Sequence, residues 1–213
     1  STWELEGELP TGLIFDSTNL TISGVTSEIV SGGSVTIWAN TTLMPDSISI
    51  PISVLLDTDG DAMPDDFGGL STSFLTEDSD DDNDGLSDNY EQSSSPNTDP
   101  LLADTDGDGV CDGPIDVTYG SVDICTSGYD YFPTDPSADS DIDGDGLPDE
   151  VRDGFNTTLV EDEDDDGDGV SDINESMEIS KSDPKISDTD SDGICDGTVD
   201  VTIRGTWVCQ AGP

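Results

Sequence analysis

The chain has no histidine, and across its 213 residues only Arg152, Lys181, Lys185 and Arg204 carry a positive charge. Losing histidine removes the commonest general base and metal ligand near neutral pH. So few basic residues cannot neutralise phosphates, and nucleic acid is excluded as a partner by sign. No apolar run approaches the ~20 residues of a membrane span, and nothing reads as a signal peptide. Gly-x-Ser-x-Gly, a phosphate loop and Cys-x-x-Cys are all missing, so none of the common catalytic signatures is present. We expect no enzyme and no membrane span.

What is present is acid. Asp and Glu number 51 for a net charge of -47, and only Glu4, Glu6, Glu8, Asp16, Glu28 and Asp46 fall in residues 1–56. Beyond that point a beat of Asp-x-Asp-x-Asp-Gly-x-x-Asp returns six times. It uses Asp57, Asp59, Asp61 and Asp65; Asp80, Asp82, Asp84 and Asp88; Asp104, Asp106, Asp108 and Asp112. The second half follows with Asp141, Asp143, Asp145 and Asp149; Asp164, Asp166, Asp168 and Asp172; Asp188, Asp190, Asp192 and Asp196. Carboxylates on alternate residues before a turn glycine can curl around one hard cation at about 2.3–2.6 Å. Gly85, Gly109, Gly146, Gly169 and Gly193 supply the turn, while the first loop has Ala62 instead. A solvated acidic linker is the alternative for runs of like charge, but it has no reason to reproduce a loop six times. We expect about six calcium ions, without which this part of the chain would repel itself apart.

Sliding the sequence by 84 positions aligns Asp57 with Asp141, and roughly 30 of about 70 paired positions are identical. Cys111-Asp-Gly meets Cys195-Asp-Gly, and Cys125 meets Cys209. A fixed period of this kind implies stacked units that support their neighbours. Four cysteines allow three connectivities. The repeat favours Cys111–Cys125 and Cys195–Cys209, each closing its own unit, over a soft-metal site, which cysteines without histidine make poorly. Paired disulfides imply an oxidising, extracytoplasmic setting.

Loops two and five are the most complete, because Glu91 and Glu175 occupy position 12. An EF-hand loop places a bidentate glutamate there and a backbone carbonyl at position 7, which here is Leu86 or Val170. The aspartates at position 9, Asp88 and Asp172, would act directly or through water. Long flanking helices are not expected, since Ser93–Pro96 and Lys181–Pro184 end any exiting helix within about two turns. The other loops carry Gly68, Ile115, Arg152 and Val199 at position 12, so a neighbouring unit must complete them. Asp99, Asp135 and Asp183, each before proline, are the candidates, with plain turn chemistry as the alternative.

Thr98-Asp-Pro-Leu-Leu-Ala-Asp-Thr-Asp-Gly-Asp-Gly-Val-Cys-Asp-Gly113 and its partner segment from Ser182 to Gly197 carry a resemblance. Residues 57–213 resemble thrombospondin type 3 repeats, particularly those of large prokaryotic surface proteins. That resemblance implies chain wrapped around a line of calcium ions with little apolar core. The regular Asn-Cys-Pro segments of the animal pattern are missing, so animal disulfide pairing is not implied.

In residues 1–56 the texture changes to alternation, at Leu20–Ile22, Val35–Trp38 and Ile48–Val54, which predicts half-buried strands. Trp3–Asp16 followed by Leu20–Gly24 resembles the immunoglobulin-like module of prokaryotic surface proteins, a small β-sandwich. Residues 1–56 are short for such a sandwich, and Trp3, Phe15 and Trp38 are expected in its core rather than on a glycan platform. The expected fold class is mainly β and irregular: an incomplete sandwich over 1–56, then calcium units over 57–140 and 141–213. The chain reads as a piece of a longer polypeptide, extracellular or on a cell surface. We expect a structural segment of a stalk or filament that meets copies of itself or tandem modules head to tail. An adhesin using the loops as spacer is the alternative. Asn19, Asn40 and Asn156 head sequons and are candidate glycan sites.

Overall fold

The computed structural model describes residues 2–26, 28–40, 44–67, 76–177 and 182–212. The chain forms two compact units, Ser1–Asp81 and Asp82–Pro213, with the boundary inside the second acidic loop. Small antiparallel sheets dominate, and among the described residues helix is confined to α1 (Asp88–Ser93) and α2 (Asp172–Glu175). The fold is mainly β and irregular.

The described residues of the first unit form two sheets. β1 (Thr2–Glu6), β4 (Val30–Asn40) and β5 (Asp46–Val54) pair in the order β1-β4-β5, while β2 (Leu13–Asp16) and β3 (Thr21–Gly24) form a hairpin. The alternating pattern decides the register: Leu5 pairs with Ile37, Ile37 with Ile48, and Val35 with Ile50. Residues two apart share a face, and Val35 and Ile37 are the pair that becomes buried. Proline removes a ladder donor and is tolerated on an edge strand, which is where Pro51 lies. Two expectations need correction. Trp3 is 38% exposed and Phe15 and Trp38 are only half-buried, with the Trp38 indole donating to Glu6 at 2.7 Å, so the aromatics flank the core instead of forming it. Leu20 leaves the strand for the hairpin turn, where its φ is 57°.

The second unit carries two matching hairpins. β6 (Val117–Tyr119) pairs with β7 (Val122–Cys125), and β8 (Val201–Ile203) with β9 (Thr206–Cys209), each with a register shift after its first pair. Disulfides Cys111–Cys125 and Cys195–Cys209 clamp them. Around each bridge lies a very small apolar cluster: Ala103, Val117 and Tyr119 at the first, Val201, Ile203 and Val208 at the second. Closing a loop of this length contributes about 3 kcal/mol in the chain-entropy account, which matters where so little apolar surface is buried.

Every acidic loop reverses through a left-handed residue at position 6. Five loops use glycine with φ of 89° to 97°. The first uses Ala62 at φ 78°, where a Cβ crowds the carbonyl that follows. Replacing Ala62 with glycine should therefore stabilise the first loop by about 1 kcal/mol. Slower hydrogen exchange of the residue 57–65 amides would report it; unchanged or faster exchange would show that Ala62 is unstrained.

Candidate metal centres

Each acidic loop is built by its own side chains. The position 1 carboxylate folds back over the turn: Asp104 accepts from the N–H groups of Gly107 at 2.8 Å and Gly109 at 2.9 Å, and Asp141 from Gly144 and Gly146. The position 5 carboxylate accepts from position 7, as Asp84 does from Leu86 (2.7 Å) and Asp168 from Val170 (2.8 Å). Asp188 and Asp192 make the same bonds in the sixth loop, to Gly193 and Ile194. Such bonds use one lone pair per oxygen and leave the rest pointing inward. The position 1, 3 and 5 oxygens converge to within 4.8 Å of one another in Asp57/Asp59/Asp61, Asp80/Asp82/Asp84, Asp104/Asp106/Asp108, Asp141/Asp143/Asp145 and Asp164/Asp166/Asp168. These clusters can hold metal ions.

The position 9 aspartates close the loops from behind. Asp65, Asp112, Asp149, Asp172 and Asp196 each accept from the position 2 N–H, and the threonine hydroxyls of Thr58 and Thr105 add a second bond to Asp65 and Asp112.

Loops two and five bury most of their charge. Asp84, Glu91, Asp166, Asp168 and Glu175 are at most 1% exposed. In α1, Glu91 accepts from the Thr98 hydroxyl through Oε1, while its Oε2 has no hydrogen-bond partner; Asp84 Oδ2, Asp166 Oδ2 and Asp168 Oδ2 are equally bare. Burial is the chief cause that pushes Glu91 and Glu175 up to about 7 and Asp166 up to about 8, with neighbouring carboxylates adding to it. An unpartnered buried carboxylate is expensive unless a cation or a proton meets it.

The segment after each disulfide cysteine packs directly on these loops. Ile115 donates to the Asp84 carbonyl at 2.8 Å and Val199 to the Asp168 carbonyl at 2.9 Å. A Cβ on Gly113 or Gly197 would lie 2.5 or 2.3 Å from those carbonyl oxygens, so only glycine permits the approach. Ile115 and Val199 then cover the Gly85 and Gly169 turns. This explains why position 12 is apolar there.

Other position 12 residues behave differently. Arg152 reaches back to the third loop, with Nη1 2.6 Å from Asp108 and Nη2 on Asp139. Gly68 lies outside the described residues. Asp99 and Asp183 turn their carboxylates to the N–H groups of Leu101 and Lys185, and Asp135 gives one oxygen to Ser137 and the other to Thr157. All three do turn work. The acid that faces the third loop is instead Asp130, which sequence reasoning passed over because it belongs to no Asp-x-Asp run. Arg152 was equally illegible, although four basic residues in an acidic chain were a signal worth following. Among the candidate glycan sites, Asn19 and Asn156 are exposed and Asn40 ends β4, though Thr41 and Thr42 of its sequon lie outside the described residues. The Asn19 amide donates to Asp16 at 2.7 Å.

Comparison with protein-family models, with curated proteins and with solved structures finds no match.

The raised carboxyls fix a pH dependence for the metal-free chain. A carboxyl held above its ordinary value of about 4 binds its proton more tightly when folded. The stability it confers is present below pH ~4 and lost as pH rises through the folded values of about 7 and 8 at Glu91, Glu175 and Asp166. Urea unfolding of protein dialysed free of metal should show a midpoint for residues 57–213 that falls as pH rises from 4.5, with no transition left near neutral pH. A midpoint that climbs over that range would contradict it.

Proposed function

We propose that this chain is a calcium-stabilised structural segment of an extracellular or cell-surface protein, with its acidic loops binding about six ions. One observation carries the reading: Asp84 and Glu91 in the second loop, and Asp166 and Asp168 in the fifth, hold carboxylate oxygens that are buried and without a hydrogen-bond partner. The donors are all hard oxygens, with no thiol or imidazole among them, which suits calcium over zinc or copper. Asp80, Asp82, Asp84 and Glu91 would hold one ion, and Asp164, Asp166, Asp168 and Glu175 its counterpart. Bound calcium supplies charge neutralisation and coordination geometry; the chain supplies the Asx turns that aim the oxygens. Two disulfides favour an oxidising compartment. The resemblance to thrombospondin type 3 repeats points the same way. Exposed Asn19 and Asn156 stand as glycan sites on that surface.

Binding free energy here is folding free energy. Residues 57–213 should lose their ordered shape when calcium is chelated at neutral pH and regain it on readdition. Circular dichroism and small-angle scattering would follow this, with midpoints roughly in the 10⁻⁴–10⁻³ M range of extracellular modules. A compact shape unchanged in excess chelator would sink the reading.

We propose further that the segment is used in serial array. Among the described residues β1 has a sheet neighbour on one side only, and Ile14, Val25, Met44 and Ile48 of the same unit are 62% to 89% exposed. β5, which carries Ile48, is the other edge of the same sheet; an open sheet edge accepts an added strand, and head-to-tail contacts propagate rather than close. Sedimentation in calcium should show oligomers that lengthen with concentration, and electron microscopy should show them as linear. A monomer at every concentration would count against it.

A further inference from the structure

We infer that Asp130 is the remote ligand of a divalent-cation site at the third acidic loop, meeting Asp106 across the Cys111–Cys125 hairpin. This rests on the reading that the acidic loops bind calcium, and it adds a ligand that lies outside every Asp-x-Asp run. The oxygens at this locus can be accounted for one by one. Asp104 accepts from Gly107, Asp108 and Gly109. Asp108 gives Oδ1 to the Val110 N–H and Oδ2 to Arg152. Asp112 is held by Thr105. Two buried carboxylate oxygens are left without a hydrogen-bond partner, Asp106 Oδ2 and Asp130 Oδ2.

Asp130 is placed there by backbone. Its N–H donates to the Cys111 carbonyl at 3.1 Å, which seats it beside Asp112, and its Oδ1 accepts from the Phe132 N–H at 2.7 Å. The side chain is 3% exposed and has one oxygen already committed, so the bare Oδ2 is what it offers to its neighbours. After burial itself, the charges of Asp108, Asp106 and Asp112 are what raise its carboxyl to about 8. Arg152 is the nearby positive charge and acts on Asp130 through space, but its hydrogen bonds go to Asp108, Asp139 and the Pro136 carbonyl, and Asp130 Oδ2 accepts none of them. A hard cation between Asp106 and Asp130 satisfies both oxygens, and carboxylate oxygens of this kind suit calcium. The competing occupant is a proton resting on Asp130, and an asparagine mimics that state.

Native mass spectrometry of the full, disulfide-bonded chain in calcium separates the two. Asp130→Asn should bind one calcium fewer than wild type, while Asp123→Asn, an exposed acid on the same hairpin, should bind the full number. An unchanged count in Asp130→Asn would assign a proton to Asp130 and overturn the proposal while leaving the other loops' ions intact. A wild-type chain that binds no calcium would defeat both this proposal and the reading beneath it. A second measurement covers an Asp130→Asn chain that fails to fold. Terbium in the wild-type site should luminesce on tyrosine excitation, because Tyr129 and Tyr131 flank Asp130. Tyr129→Phe with Tyr131→Phe should keep the terbium count and lose part of that emission. Full emission from the double variant would place the ion elsewhere.

Discussion

Everything in this molecule depends on the repulsion between carboxylates that its own loops force together. Two like charges ~4 Å apart interact by about 1 kcal/mol in water and about 4 kcal/mol at an effective dielectric of 20. Mobile salt screens the exposed pairs and reaches the enclosed ones far less. The acids at positions 1, 3 and 5 have oxygens within 4.8 Å of each other in at least five loops, and in loops two and five those at positions 3 and 5 are buried. Apolar burial offers little against this. Among the described residues, and beyond the disulfide cysteines and a few prolines, the buried apolar residues are Val35 and Ile37 in one unit and Ala103, Val117, Ala138 and Val201 in the other. Positive charge must come from somewhere else.

A small part comes from the chain itself, and its placement is instructive. Arg152 joins the third loop to the segment before the fourth. Lys185 stands 3.8 Å from both Asp149 and Asp165, between the fourth and fifth loops. Arg204 lies over the Tyr131 ring at 4.2 Å and donates to the Asp141 carbonyl, linking the second hairpin to the fourth loop. All three sit at joints between loops, where partial exposure keeps the desolvation cost of a side-chain cation low. Of the three, Arg152 alone reaches a position 5 carboxylate, Asp108. The loop interiors are left to small multivalent cations, which can take six to eight oxygens at once.

The sequence was legible wherever a local rule decided the outcome. Alternation in Val35–Trp38 and Ile48–Val54 is enough for β4 and β5, and the spacing of Pro96 after Glu91 is enough to keep α1 short. The repeated Cys positions named both disulfides. Contacts between loops were not legible. Nothing local says that Gly113 and Gly197 must be glycine; the reason is a carbonyl from a loop almost 30 residues earlier. Ile115 and Val199 looked like missing ligands and proved to be lids over neighbouring turns. Asp99, Asp135 and Asp183 were candidate shared ligands, and each gives one oxygen to the turn that its proline starts. The aromatics of the first unit failed for another reason. A three-stranded sheet has too little area to enclose a tryptophan, so hydrophobic identity alone did not predict burial of Trp3.

The most direct test of the account is a crystal structure of the calcium-bound chain with data collected to record the anomalous signal of calcium. The account predicts anomalous peaks inside the acidic loops, each within about 2.3–2.6 Å of position 1, 3 and 5 carboxylate oxygens, strongest where Glu91 and Glu175 close the second and fifth loops. Ordered loops with no anomalous peak within them, in crystals grown in millimolar calcium, would contradict it.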